Sequence, residues 1–125
     1  MDLCTVDLYE GTYEFLKQGA VSSFLLTEGK IERIEGHSMP IGLYAQDEFA
    51  VKGGQFGKEA YFVMVSDGVL DAFRKRDGEF VIEDILLEEE KNPKVLANRM
   101  LEEALIASNG RARDDMTVLV LGVWK

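Results

Sequence analysis

Apolar and polar residues alternate in short runs over the first third of the chain, with turn residues between the runs. Cys4-Thr5-Val6-Asp7-Leu8-Tyr9 alternates, Glu10-Gly11-Thr12 turns, and Tyr13-Glu14-Phe15-Leu16-Lys17 follows. Two period-two runs around a glycine turn predict a β-hairpin. Gly19-Ala20 breaks the pattern. Ser23-Phe24-Leu25-Leu26 and Ile31-Glu32-Arg33-Ile34, joined by Glu28-Gly29-Lys30, predict a third and a fourth strand. The spacing is that of an antiparallel meander with one wet face.

The middle of the chain changes character. His37 to Gly42 holds Pro40 and reads as a loop. Asp47 to Lys52 reads as a further strand, and Gly53-Gly54-Gln55-Phe56-Gly57 as a loop or wide turn, because glycine admits positive φ. Ala60-Tyr61-Phe62-Val63-Met64-Val65 is apolar at every position, so it predicts a central strand buried on both faces.

Helical periods follow. Gly68-Val69-Leu70-Asp71-Ala72-Phe73-Arg74 fits a short helix, and Val81 to about Glu90 a weaker one. Asn92-Pro93 is a start signal, with Asn as the cap and proline at the first helical position. Leu96, Met100, Leu101, Ala104 and Leu105 then form an apolar stripe, while Asn98, Arg99, Glu102 and Glu103 face water. Asn109-Gly110 supplies the stop. Met116 to Trp124 forms a closing strand with almost no polar interruption. Meander strands followed by helices and a last strand predict an α+β fold, with antiparallel β-sheets flanked by helices.

Composition narrows the function classes. At 125 residues the chain is one domain at most, and a hydrophobic fraction of 46% suffices for a core. Acidic residues outnumber basic ones 23 to 14, for a net charge of −9, which argues against a nucleic-acid surface. The acidic run Glu83, Asp84, Glu88, Glu89, Glu90 reads as a solvated helix face. No apolar run reaches the roughly 20 residues of a membrane helix. The start, Met1-Asp2-Leu3-Cys4-Thr5, is not a signal peptide. The single cysteine, Cys4, excludes an internal disulfide and reads as a small buried hydrophobe.

Candidate chemistry gathers at two acidic turns. Ser66-Asp67-Gly68 directly follows the apolar run 60–65, and Asp114-Asp115 directly precedes the closing strand. If these two strands are antiparallel neighbours, the end of the first lies beside the start of the second, about 4.8 Å away. Asp67 and Asp114 then reach one divalent cation, which relieves their mutual repulsion and lowers the pKa of a bound water. The bland readings stand beside this one: Asp67 as a helix cap, Asp-Asp as a charge-tolerant loop, and Asp71 as a solvated helix residue. Either Asp114 or Asp115 can be the member that turns inward. The single histidine, His37, sits in a Pro/Gly loop and reads as a surface residue. No serine carries an elbow motif for a triad, and no Walker-type phosphate loop is present.

Val65-Ser66-Asp67-Gly68-Val69-Leu70-Asp71 and Asp114-Asp115-Met116-Thr117-Val118 resemble two signature motifs of the metal-dependent serine/threonine protein phosphatases, the PPM or type 2C-like family. Gly19-Ala20-Val21-Ser22-Ser23-Phe24-Leu25 and Met39-Pro40-Ile41-Gly42-Leu43 match in order and spacing. Together they resemble the bacterial branch typified by stage II sporulation protein E. The resemblance implies a pair of antiparallel β-sheets flanked by helices, with two Mn²⁺ or Mg²⁺ ions at one edge. A metal-bridging water there attacks a phosphoserine or phosphothreonine. It implies Asp67 and Asp114 as metal ligands, Gly68 as the residue permitting the tight turn, and Asp115 as a residue orienting Asp114.

The resemblance further implies a phosphorylated anti-anti-sigma factor as substrate, acted on by a cytoplasmic domain of a membrane-anchored parent. The family's Gly-Asp-Gly motif, whose aspartate bridges the metals, does not occur in this sequence, and neither Asp2 nor Asp7 replaces it. Residues 1–125 therefore resemble the C-terminal portion of the phosphatase domain. The expectations are weak metal binding, no catalysis by the isolated chain, and self-association through strands deprived of neighbours. The alternative is a non-catalytic interaction module on a degenerate phosphatase fold.

Overall fold

The computed structural model describes residues 2–17, 22–35, 50–73, 78–88, 90–108 and 115–124. The segments 37–42 and 47–49, Gly19-Ala20-Val21, Asn109-Gly110 and Asp114, about which the sequence raises expectations, lie outside the described residues.

Strands β1 (Asp2–Asp7) and β2 (Thr12–Lys17) form the first hairpin. Its turn is held by the Asp7 carboxylate, which accepts from the Tyr9 and Glu10 amides at 2.9 and 3.0 Å. Gly11 closes it with φ +71, a value glycine adopts without a Cβ clash. Strands β3 (Ser23–Thr27) and β4 (Lys30–Ile34) form the second hairpin. Glu28 and Gly29 are both left-handed, at φ +52 and +74, and such two-residue primed turns match the strand twist. The remaining elements are β5 (Ala50–Gln55), β6 (Glu59–Val65), α1 (Asp67–Phe73), α2 (Gly78–Leu86), α3 (Pro93–Ala107) and β7 (Val118–Trp124).

The strands form two antiparallel sheets, ordered β1-β2-β5 and β4-β3-β6-β7. The four early strands therefore do not make one meander, because the two hairpins belong to different sheets. The glycine-rich segment corrects another expectation. Gly53-Gly54-Gln55 is strand rather than loop, paired with Glu14, Tyr13 and Thr12. Glycine is used there for close approach: a Cβ on Gly54 would lie 3.0 Å from the Tyr13 hydroxyl.

The sheets pack face to face through aromatic rings. Phe62 of β6 meets Tyr13, Phe15 and Phe56 at centroid separations of 5.6, 6.1 and 5.8 Å. Alternation in β6 sends Ala60 and Phe62 into this layer and Tyr61, Val63 and Val65 to the opposite face. There they meet Val69 and Phe73 of α1, Ile82, Ile85 and Leu86 of α2, and Leu96, Met100 and Ala104 of α3. The result is a sheet–sheet–helix sandwich in the α+β class, and β6 lies between β3 and β7 as its fully apolar sequence requires. Helix α3 starts as expected: Asn92 is the N-cap and its side chain accepts from the Lys94 amide. Among the described residues, no helix is long and apolar enough to cross a membrane.

Candidate metal centre

The β6–β7 pairing sets the geometry. Its register runs from Glu59↔Trp124 to Val65↔Val118, so the C-terminal end of β6 lies against the N-terminal end of β7. The antiparallel neighbourhood of these strands is thus present, and residues 66–67 stand beside residues 115–117. One further backbone bond, from the Ser66 amide to the Thr117 carbonyl at 3.0 Å, extends the ladder past the assigned strands.

The Ser66 side chain then carries the contact into the second acidic turn. Its hydroxyl donates to the Asp115 carbonyl at 3.0 Å and accepts from the Thr117 amide at 2.9 Å. Sequence reasoning gave Ser66 no role. The only signal was its place before Asp67-Gly68, and the partner is about fifty residues away.

Asp67 opens α1 and is exposed. The Ser66 carbonyl accepts from Val69 at 3.1 Å and Leu70 at 3.5 Å, which makes Ser66 the residue flanking the helix and Asp67 its first residue. Asp67 is therefore not the N-cap. Its carboxylate makes no hydrogen bond or ion pair with the described residues. Gly68 is buried behind it, where the chain folds from strand into helix. Asp115 is exposed, with its carbonyl held by Ser66. Asp114 lies outside the described residues.

The donor set fits a hard divalent cation in kind, because a partnerless, exposed carboxylate at a rigid strand end is what Mg²⁺ or Mn²⁺ takes. It is short in number: no group of three or more His, Cys, Asp or Glu suited to a metal occurs among the described residues. A groove of about 770 Å³, lined by Thr27, Lys58, Glu59, Tyr61 and Leu87, sits at the other end of β6.

Residues 1–124 match the family model described as stage II sporulation protein E. The stage II sporulation protein E of Priestia megaterium is 30% identical over 130 residues, a match covering 96% of this chain and 21% of that protein. The chain thus spans about a fifth of that relative. Among solved structures, the phosphatase domain of the cell fate determinant SpoIIE from Bacillus subtilis, presoaked with Mn, aligns with a TM-score of 0.81 at 23% identity, covering 97% of this chain and 55% of that one. A structure of the PP2C phosphatase domain with a fragment of the regulatory domain of the same Bacillus subtilis protein aligns with a TM-score of 0.80 at 25% identity, covering 95% of this chain and 37% of that one.

Proposed function

This chain belongs to the stage II sporulation protein E family, and on that premise we propose that it is the C-terminal portion of a type 2C-like phosphatase domain acting on phosphoserine or phosphothreonine in a protein. The observation that carries the reading is the β6–β7 register. It brings Ser66-Asp67-Gly68 against the segment that begins β7. In this reading Asp67 and Asp114 hold Mn²⁺ or Mg²⁺. When bound, such ions supply Lewis-acid stabilisation of phosphoryl oxygens and activation of water. The chain's own part is to hold Asp67 at a rigid strand end and to present the second acidic turn beside it. The substrate we propose is a phosphorylated anti-anti-sigma factor.

The isolated 125-residue chain is expected to be silent, since it has no Gly-Asp-Gly motif and Mg²⁺ requires near-octahedral coordination by more ligands. The test is phosphate release from a phosphoserine protein with Mn²⁺, using this chain alone and this chain fused behind the N-terminal half of a relative's phosphatase domain. Activity is expected only in the fusion, and it should vanish in Asp67→Asn and Asp114→Asn. A fusion whose activity survives Asp67→Asn would overturn the reading.

A further inference from the structure

The groove at the end of β6 opposite Asp67 combines an apolar floor with an ionic rim. It measures about 770 Å³, and Leu26, Tyr61 and Leu86 line its floor. That size is typical of ligand sites. Its walls are the β3–β4 turn, the start of β6 and the chain that leaves α2. Hydrogen bonds tie these walls together. The Thr27 hydroxyl donates to the Glu59 carbonyl at 3.0 Å and accepts from the Gly57 amide at 3.1 Å. The Tyr61 hydroxyl lies 2.8 Å from the Lys91 carbonyl and 2.6 Å from the Glu59 carboxylate, which share its proton. The groove is thus held in shape before anything enters it, which lowers the ordering cost of binding.

The rim carries four carboxylates, Glu28, Glu59, Glu88 and Glu90, against two ammonium groups, Lys58 and Lys91. Most of these are engaged within the chain. Lys91 pairs with Glu59 at 3.5 Å, Arg99 holds Glu88 at 2.9 Å, and Glu90 accepts from the Lys91 and Asn92 amides. Glu28 and Lys58 are exposed and make no hydrogen bond or ion pair with the described residues. The Glu28 carboxylate lies over Gly57, where a Cβ would collide with it. Leu87, on the wall that leaves α2, is 60% exposed.

We propose that this groove docks a segment of a partner protein in which a large apolar side chain stands beside Lys or Arg. The apolar side chain takes the floor and covers Leu87, and the basic residue pairs with Glu28. An apolar centre inside a polar rim is the usual anatomy of a protein–protein contact. The sign of the partner follows from the rim, where carboxylates outnumber ammonium groups, and from the chain's net charge of −9, which steers cationic segments toward it. The same sign disfavours nucleic acid and anionic lipid. The groove and Asp67 lie at opposite ends of β6, so docking here stands or falls apart from the metal site.

The experiment titrates the 125-residue chain with the capped peptide acetyl-Arg-Leu-Phe-Arg-amide and follows backbone amide signals by NMR. Gly29, Lys58 and Leu87 should shift together and saturate, while Gly68 stays in place. Leu87→Ser should weaken binding about fivefold, Glu28→Lys about threefold, and Lys58→Glu should tighten it. All three side chains are exposed, so the variants should fold; should Leu87→Ser not, Leu87→Ala carries the same expectation. Acetyl-Glu-Leu-Phe-Glu-amide and acetyl-Arg-Ser-Ser-Arg-amide should each bind at least about tenfold more weakly. No saturable shift at Gly29 and Lys58 overturns the proposal. Equal binding of the acidic peptide removes the charge complementarity, and equal binding of the serine peptide leaves only general attraction between charges; either result overturns it. Shifts at the same residues that grow with protein concentration alone would give the groove to a second copy and overturn it as well.

Discussion

The Lys17 ammonium and the Asp2 carboxylate meet at 3.0 Å across the β1–β2 pair, with Lys17 1% exposed. Lys17 also donates to Ser23 Oγ at 2.7 Å, so one buried cation ties the first sheet to the second. The remaining Asp2 oxygen, Oδ1, is buried without a partner among the described residues. Removing one member of a buried pair strands the other charge, typically at about 3–5 kcal/mol. Lys17→Met is expected at the lower end, about 3 kcal/mol in urea unfolding, because the Asp2 side chain keeps 22% of its exposure. The double variant Asp2→Leu/Lys17→Met should recover most of that loss. A Lys17→Met variant as stable as the wild type would show that the pair contributes little.

Tyr13 contributes to the alkaline limit, as does Tyr61, whose pKa burial also raises. Burial, reinforced by the neighbouring Glu32 carboxylate that the Tyr13 hydroxyl donates to at 3.2 Å, pushes the Tyr13 pKa up from 10.0 to about 12. The fold therefore favours the neutral phenol. Its contribution is fully present below pH 10 and is lost as pH rises toward 12. Tyr13→Phe should flatten the fall of stability across that window, measured by urea midpoints at stepped pH. Burial likewise raises the Cys4 thiol to about 11, so Cys4 should react slowly with disulfide reagents at pH 8 in the folded chain and rapidly in urea.

Asp67 should separate stability from metal response. Because its exposed carboxylate has no partner among the described residues, Asp67→Asn should shift unfolding by no more than about 0.5 kcal/mol, while the paramagnetic broadening of the Gly68 amide signal by Mn²⁺ disappears. A large loss of stability would assign the carboxylate a structural role instead.

Strand β7 ends the four-stranded order among the described residues. It carries no charge, and Leu119 and Leu121 are 57% and 45% exposed. An uncharged, open, apolar edge strand invites strand pairing between copies. Concentration-dependent dimerisation is expected by sedimentation, and Leu121→Lys should shift it toward monomer. A wild-type chain that stays monomeric at high concentration would remove the expectation.

Gly122 reports on how closely α3 approaches this strand. A Cβ there would lie 2.7 Å from Pro93 Cγ and 2.7 Å from the Trp124 ring. Neither proline nor an indole stacked edge-on against Tyr61 at 5.8 Å yields easily. Gly122→Ala should destabilise by about 1–3 kcal/mol, and Gly122→Ala combined with Pro93→Ala should lose less than the sum of the two.

Local pattern determined a good deal of this protein. Alternation gave β1 to β4, the Asn92-Pro93 signal gave the start of α3, and the uniformly apolar run at 60–65 gave the central strand. These are effects of side-chain period and capping within a few residues. The places of Asp67 and Asp115 along the chain were legible too, because Asp67 lies two residues past the end of β6 and Asp115 three residues before the start of β7. Tertiary structure alone decided the rest. Which sheet each hairpin joins is decided by long-range pairing: β3 pairs along β6, whereas β2 meets it only across the sheet interface, through Phe15 against Phe62. Gly53-Gly54 became strand because Tyr13 covers it, whereas glycine by itself favours a turn. The use of Ser66 was invisible for the same reason. Its local position asks for a helix cap, and only the pairing of β6 with β7 brings it partners at the Asp115 carbonyl and the Thr117 amide.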